Sequence, residues 1–483
     1  MRATFYGFEA VRKALMASQK ALDVTSQNVS NLNTEGYARQ RVDISSLSLD
    51  TGVSRFARAK GDSVGQGVEV TGVSQIRDQF IDARFRKESA DLGMLSARLS
   101  VLTDIEDVFD EVGANGLSAR LGDFYNQLQA FSLNAETVEF ASIFRSSAQK
   151  VVEVFNQYSL RLSEIRGQHI FNAGTDVNDV NNTLKKIANL NFHIKGEYSQ
   201  GCTPNELLDE RNLLLDKLSR LIGANYEFKA DGQVSVKLKD TYLLDSGKNN
   251  RICELTLDSS GYPVSVLVDG GKPAEIIKGS IAGYLGGLNG KGVFAPAGED
   301  STKGILYFQQ SLDELARAFA DNFNSINDPS GTDKLFMGDP SGNITAGSIR
   351  LSQEWLDDAQ FITESDVLPP QGGRNENLLK MLESMNEKKG ITPYFNGTFE
   401  EFAVTLIGDM SVEVQYTRDM KEASEYILNT ISNQRESFMG VSLDEEAINM
   451  VKYQKSYNAA ARIMTVMDEM LDTLINRTGA AGR

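Results

Sequence analysis

Two helical seams, one at each end of the chain, constrain the fold more than anything between them. Phe8, Val11, Leu15, Ser18, Leu22, Thr25, Val29 and Leu32 follow one another at spacings of three and four; Met450, Tyr453, Tyr457, Ala460, Met464, Met467, Leu471 and Leu474 do the same. That alternation lays one stripe of side chains along a helix, in the geometry of a coiled coil. Such a stripe is buried only by a partner helix, so the spacing predicts that the two ends meet each other or meet copies of the chain. Ser18 and Thr25 dilute the N-terminal stripe but can fix its register. Six basic residues between Met1 and Arg41 face Glu9, Asp23 and Glu35, a net of +3. Between Leu443 and Ile475, Lys452, Lys455 and Arg462 face six carboxylates, a net of −3. Opposite signs favour pairing of one end with the other.

At 483 residues the chain has room for two or three domains, and its 41% hydrophobic and 24% charged content is that of a globular protein. The net charge of −17 argues against a nucleic-acid partner, because phosphate binding needs clustered Lys and Arg. Two cysteines, Cys202 and Cys253, are too few for a disulfide framework. No apolar run approaches the roughly 20 residues of a membrane span, so no membrane insertion is expected. The N-terminus also lacks the apolar core of a cleaved signal peptide.

The patterning predicts a mainly α protein with an inserted β domain, an α+β multidomain chain. Its parts are a terminal helix and turn over 1–42, a helical rod over 43–223, a small β domain over 224–300, the rest of the rod over 301–440 and a closing helix over 441–483. The first helix ends near Asn33-Thr34-Glu35-Gly36, where Gly36 can take positive φ. Helical patterning runs from about Gln75 past Leu162, with further helices from Val177 to Tyr198 and from Pro204 to Leu221, Pro204 in the first turn. From Tyr226 to Val268 the period changes to two. An irregular stretch over 328–373 interrupts the second half of the rod. After Gly440, Ser442 and Glu445 read as a capping box for the last helix.

Catalytic chemistry has little to stand on. His169 and His193 are the only histidines, with no metal-ligand spacing around them. Gly283 to Gly290 is glycine-rich but lacks the Lys-Ser/Thr ending of a phosphate loop, and reads as a flexible junction. The Asp328 and Asp339 turns lack a calcium loop's ligand series. Trp355 reads as packing. No cofactor and no metal are expected, and an enzyme is not.

The stretch Gln27-Asn28-Val29-Ser30-Asn31-Leu32-Asn33-Thr34-Glu35-Gly36-Tyr37-Ala38-Arg39-Gln40 resembles the N-terminal signature of the bacterial flagellar rod, hook and hook-associated proteins. Its signature positions are Asn28, Asn31, Asn33, Gly36, Tyr37, Arg39 and Gln40. The closing helix, with Lys452-Tyr453-Gln454 and Asp468-Glu469-Met470-Leu471, is similar to the C-terminal helix of the same family, as are Asn205 to Arg211 and Gly279 to Gly283. The resemblance implies a structural subunit that self-assembles in the flagellum between hook and filament. It implies hook protein and a second, distal hook-associated protein as partners. It also implies an export chaperone on the C-terminal helix, and secretion through the flagellar channel without a cleaved signal. The alternatives are another axial protein (hook, rod or distal) and an adhesin using the β insertion.

Overall fold

The computed structural model describes residues 5–46, 67–109, 116–246, 251–257, 261, 263–271, 273–296, 302–328, 333–363, 375–392 and 394–477. Helix α1 (Phe5–Ser30) leads through the signature turn into a hairpin of β1 (Gln40–Ser46) and β2 (Val68–Gln75), paired antiparallel from Gln40↔Gln75 to Ser46↔Val68. Four helices follow: α2 (Gln79–Phe109), α3 (Leu117–Leu133), α4 (Val138–Ser199) and α5 (Asn205–Ile222). Two three-stranded antiparallel sheets come next, β3 (Asn225–Phe228), β4 (Val234–Leu238) and β5 (Thr241–Leu244), then β6 (Cys253–Leu257), β7 (Pro263–Val268) and β8 (Pro273–Ala274). Helices α6 (Ser280–Asn289) and α7 (Ile305–Asn327) return to the rod. The two-residue strands β9 (Phe336–Met337) and β10 (Arg350–Leu351) and the short helices α8 (Gln353–Asp357) and α9 (Glu376–Asn386) lead to the hairpin of β11 (Lys389–Thr392) and β12 (Phe395–Gly397). Two long helices close the chain, α10 (Phe399–Met439) and α11 (Leu443–Asp472).

Two separate cores hold this together. The first is aromatic: Phe124, Phe144, Phe155, Phe319, Phe323, Phe336 and Trp355 lie fully buried among α3, α4, α7 and α10. Rings such as Phe124 and Phe323 meet edge-on, with centroids 5.1 Å apart, as aromatic quadrupoles prefer. The second core joins Val177, Val180, Leu184 and Ile187 of α4 to Leu215 and Leu218 of α5 and to the inward faces of both β sheets. Helix α4, 62 residues long, belongs to both. The sequence pattern runs past Leu162 and places a further helix over Val177 to Tyr198; instead one helix runs through, because cores at either half cover it. Among the described residues, none of α1 or α11 belongs to either core.

Three expectations change. The segment 280–289, placed in the β span and read as flexible, is a helix that lies on α2. It can do so because Gly283 and Gly287 present no side chain. A Cβ on Gly283 would stand 2.2 Å from the Met94 carbonyl oxygen, and one on Gly287 3.0 Å from Val101. Pro204 is the cap residue of α5 rather than a first-turn residue. At α11 only half of the capping box forms: Ser442 Oγ accepts from the Glu445 N–H, but the Glu445 carboxylate turns instead to Arg39. A complete box opens α10, between Thr398 and Glu401. His169 is buried, its Nε2 2.8 Å from Asp104, and burial lowers its pKa. Asp339 folds back on the N–H groups of Ser341 and Asn343, at 2.9 Å each, so its carboxylate closes its own turn.

The α2–α6 contact yields a paired prediction. Gly283→Ala forces a methyl into backbone and destabilises the chain by about 1–3 kcal/mol. Gly286→Ala, where nothing lies within 4 Å, stabilises it by about 0.5–1 kcal/mol through helix propensity. Urea unfolding of the two variants checks both signs.

Candidate assembly interface at the paired ends

Helices α1 and α11 pack against each other and run antiparallel. Met467 lies against Gly7 at one end, where a Cβ would stand 2.5 Å from the Met467 Cε, and Glu446 holds Arg39 at the other. The two ends therefore meet within one chain. Of the N-terminal seam, Phe8, Val11, Leu15, Ser18, Leu22, Val29 and Leu32 are half-buried and Thr25 is buried. Besides Thr25, the buried positions of α1 are Ala17, Ala21, Val24 and Asn28, because the β1–β2 hairpin covers this helix as well. On α11, Tyr453, Tyr457, Met464, Met467 and Leu471 are half-buried and Ala460 is buried. The side chain of Leu474 lies outside the described residues.

Met450 departs from the expected seam. It is 36% exposed, while Asn449 takes the half-buried position one residue earlier and Glu446 extends the stripe inward at 2% exposure. A second stripe, absent from the sequence reading, lies on the opposite face of α11. Ile448, Val451, Lys455, Ala459, Ile463, Val466 and Met470 recur at spacings of three and four, and all are exposed, Ile448 at 68% and Met470 at 62%. Both stripes have helical periodicity; reading only the better one hid the other.

The signature residues build the base of this pair. Asn28, 1% exposed, clips the first residue of β1 with its side-chain amide. Its Nδ2 donates to the Gln40 carbonyl at 2.9 Å and its Oδ1 accepts the Gln40 N–H at 3.0 Å. The Tyr37 hydroxyl donates to the same Oδ1 at 2.8 Å. Gly36 turns the chain at φ 81°, a conformation costly for any residue with a Cβ. Arg39 reaches Glu446 at 2.7 Å and Glu445 at 2.6 Å, and its N–H donates to the Met439 carbonyl at 2.9 Å. The Gln40 side chain accepts from Asn205 at 3.2 Å. Asn31 bonds locally, to the Gln27 carbonyl at 3.0 Å, and Asn33 is exposed in the turn. Seven signature positions therefore split into five that build the junction and two that finish the helix end.

Beneath this junction runs a chain of buried charges of alternating sign. Asp209 accepts the Ala38 N–H at 3.2 Å and lies 3.3 Å from Arg77, which pairs with Asp82 at 2.5 Å. Asp82 in turn meets Arg435 at 2.8 Å; Arg435 reaches Asp216 at 2.8 Å, and Asp216 pairs with Arg86 at 2.7 Å. The Arg435 guanidinium also lies over Phe85, 4.7 Å from its ring centroid. Three helices, α2, α5 and α10, are locked in register this way. Sequence reasoning missed this chain, because Asp and Arg in so charged a protein give no sign of which are buried. Desolvation raises the Asp209 pKa to about 6, only partly offset by the Ala38 N–H and Arg77.

Two predictions follow from the buried charges. Arg39→Ala leaves Glu446 buried without a cation and costs about 3 kcal/mol; adding Glu446→Gln restores part of it, measurable in a double-mutant unfolding cycle. For Asp209 the folded pKa lies above the unfolded value, so the folded state holds the proton more tightly and its contribution is lost as pH rises from about 4 to about 6. Asp209→Asn therefore gains on the native chain by about 3 kcal/mol between pH 4 and pH 7. Denaturant unfolding at both pH values measures the difference.

Comparison with known proteins follows this geometry. A family model described as the flagellar hook-associated protein FlgK helical domain matches residues 102–339. Two others match the ends: flagella basal body rod protein over 9–37, and flagellar basal body rod FlgEFG protein C-terminal over 432–477. Flagellar hook-associated protein 1 of Bacillus subtilis is 32% identical, with 100% of both chains covered. The Escherichia coli protein of that name is 24% identical over 96% of this chain and 98% of its own. The solved flagellar hook junction protein FlgK from Burkholderia pseudomallei shares the fold at a TM-score of 0.59 and 12% identity, covering 74% of this chain and 100% of its own. With matched models at both ends and in the middle, and full-length identity above 30%, the chain belongs to the flagellar hook-associated protein 1 family.

Proposed function

We propose that this chain is a structural subunit of the junction between flagellar hook and filament, and that it assembles through α11. As a member of its family it is a component of the bacterial flagellum, outside the cell. The observation that carries the assembly reading is the second stripe of α11. One face of this helix is covered by α1, while Ile448, Val451, Ile463, Val466 and Met470 on the other are bare. Each such side chain stabilises by about 1.5–3 kcal/mol when fully buried, and neighbouring copies in a flagellar layer offer the cover. The seam of Phe8, Val11, Leu15, Leu22, Val29 and Leu32 with Tyr453, Tyr457, Ala460, Met464, Met467 and Leu471 makes the helical hairpin; the outer stripe joins hairpins. The two cores, with the β insertion outermost from the paired ends in chain order, form the body that the hairpin carries.

In this reading hook protein lies on one side of the layer and a distal hook-associated protein on the other. A chaperone that holds the C-terminal helix before export would cover the same bare stripe, keeping it from premature contact. Export then needs no cleaved signal, and no cofactor takes part.

The experiment places a charge on the outer stripe. Val466→Asp with Ile463→Asp leaves the single chain folded, with unchanged helix content by circular dichroism, and gives cells with hooks but few or no filaments. Normal filaments and swimming in that double variant would sink the assembly reading.

A further inference from the structure

Arg211, on α5, is 3% exposed and stands apart from its neighbours. Arg77 and Arg86 each pair with aspartates, whereas among the described residues no carboxylate lies within ion-pair distance of Arg211. Its Nη1 donates to Asn191 Oδ1 at 3.2 Å and to the Gly232 carbonyl, and its guanidinium lies 5.8 Å from the Phe228 ring centroid. Its Nε is buried with no acceptor at all. A buried cation in this state is expensive, and burial lowers its pKa to about 10, with Arg86 and Arg77 adding to the fall.

The side chain lines a groove of about 480 Å³ between β2, the start of α2, the first turn of α5 and the β3–β4 turn. Four cations line it, Arg77, Arg86, Arg211 and Lys229; Arg77 is held by Asp82 and Asp209, Arg86 by Asp216, and Lys229 lies 3.6 Å from Asp245, so that Arg211 is the one of the four without a carboxylate among the described residues. The first turn of α5 adds to it: Pro204 caps the helix without a side-chain bond, and Thr203, Asn205 and Leu208 face the groove. Open N–H groups at a helix start and the helix dipole both favour an anion.

We propose that this groove binds a small oxyanion, a phosphate or a carboxylate, with the Arg211 guanidinium as its main partner and the first turn of α5 beside it. Bound there, the anion supplies the missing counter-charge and ties the β1–β2 hairpin to the β insertion. A free ion would come from solution; a carboxylate would come from an acidic side chain of another polypeptide.

Isothermal titration of the full chain at pH 7.5 and constant ionic strength tests this, with sodium phosphate, sodium acetate and, as reference, sodium chloride. Saturable binding of phosphate or acetate is expected at one site per chain. Preference for phosphate identifies a free ion as the source and preference for acetate an acidic side chain. Arg211→Lys, which loses the planar fork, weakens binding about tenfold. Lys229→Glu, in an exposed turn, weakens it several-fold and keeps the fold testable where the first variant does not fold. No saturable binding of either salt, or binding unchanged in Lys229→Glu, overturns the proposal.

Discussion

The structure depends on charges that have been taken out of water and answered one by one. Asp209, Asp82, Arg435, Asp216 and Arg86 come from three helices far apart in sequence, with Arg77 from the turn before α2, and each ion is met by one of opposite sign. Such a chain adds little net stability over apolar packing of the same volume, since desolvation consumes most of the Coulomb gain. What it does supply is discrimination. A slip of α10 by one turn against α2 would strand at least one buried charge, at a cost of several kcal/mol, whereas an apolar contact would slide. The helix that ends at Met439 hands the chain to α11, so the angle at which the terminal pair leaves the body is fixed at these residues.

A second device recurs with the same logic. Four asparagines on helices clip the first residue of a strand through both of its backbone groups: Asn28 on Gln40, Asn191 on Val234, Asn181 on Cys253 and Asn324 on Phe336. A carboxamide presents one donor and one acceptor side by side, as a neighbouring strand would. These sheets are small, with edges that would otherwise bury unpaired N–H and C=O groups against helices. The clips satisfy those groups and set where each of these strands begins, at the signature turn, in both sheets of the β insertion and at β9 alike.

How much of this the sequence disclosed follows from the physics of each element. Hydrophobic period picks out residues that are half-buried between α1 and α11, because burial there acts on residue type. It failed at Met450, where Glu446 sets the register: a carboxylate paired with Arg39 is buried, and polarity alone predicts the reverse. It failed again over α4, since Gly167 and Gly174 face open space and weaken the helix locally without ending it. Glycines at 283 and 287 look like flexibility in a string of letters, yet they are close packing against α2. The ionic chain and the asparagine clips were invisible for one reason: they are made by residues whose type is common on surfaces, and only their partners' positions make them structural.

The terminal pair itself is narrow, and this decides what the rest of the molecule can do with it. The buried apolar side chains of α1 and α11 are small, Ala17, Ala21, Val24 and Ala460, which bring two helices close but bury little area each. Neither core reaches them, so the pair holds by its own seam, the β1–β2 hairpin and the Arg39 bridge. An element so lightly held gains most from any further cover, and the outer stripe of α11 is where cover is lacking. Lys455 lies in the middle of that stripe, flanked by Val451 and Ala459 one turn away on either side. Whatever covers the stripe must leave its ammonium a path to water or offer an acceptor, or lose several kcal/mol. A bare apolar face with one cation in it therefore accepts a matched partner and resists an indiscriminate one, which is the requirement on a subunit that must stay separate until it reaches its place in a polymer.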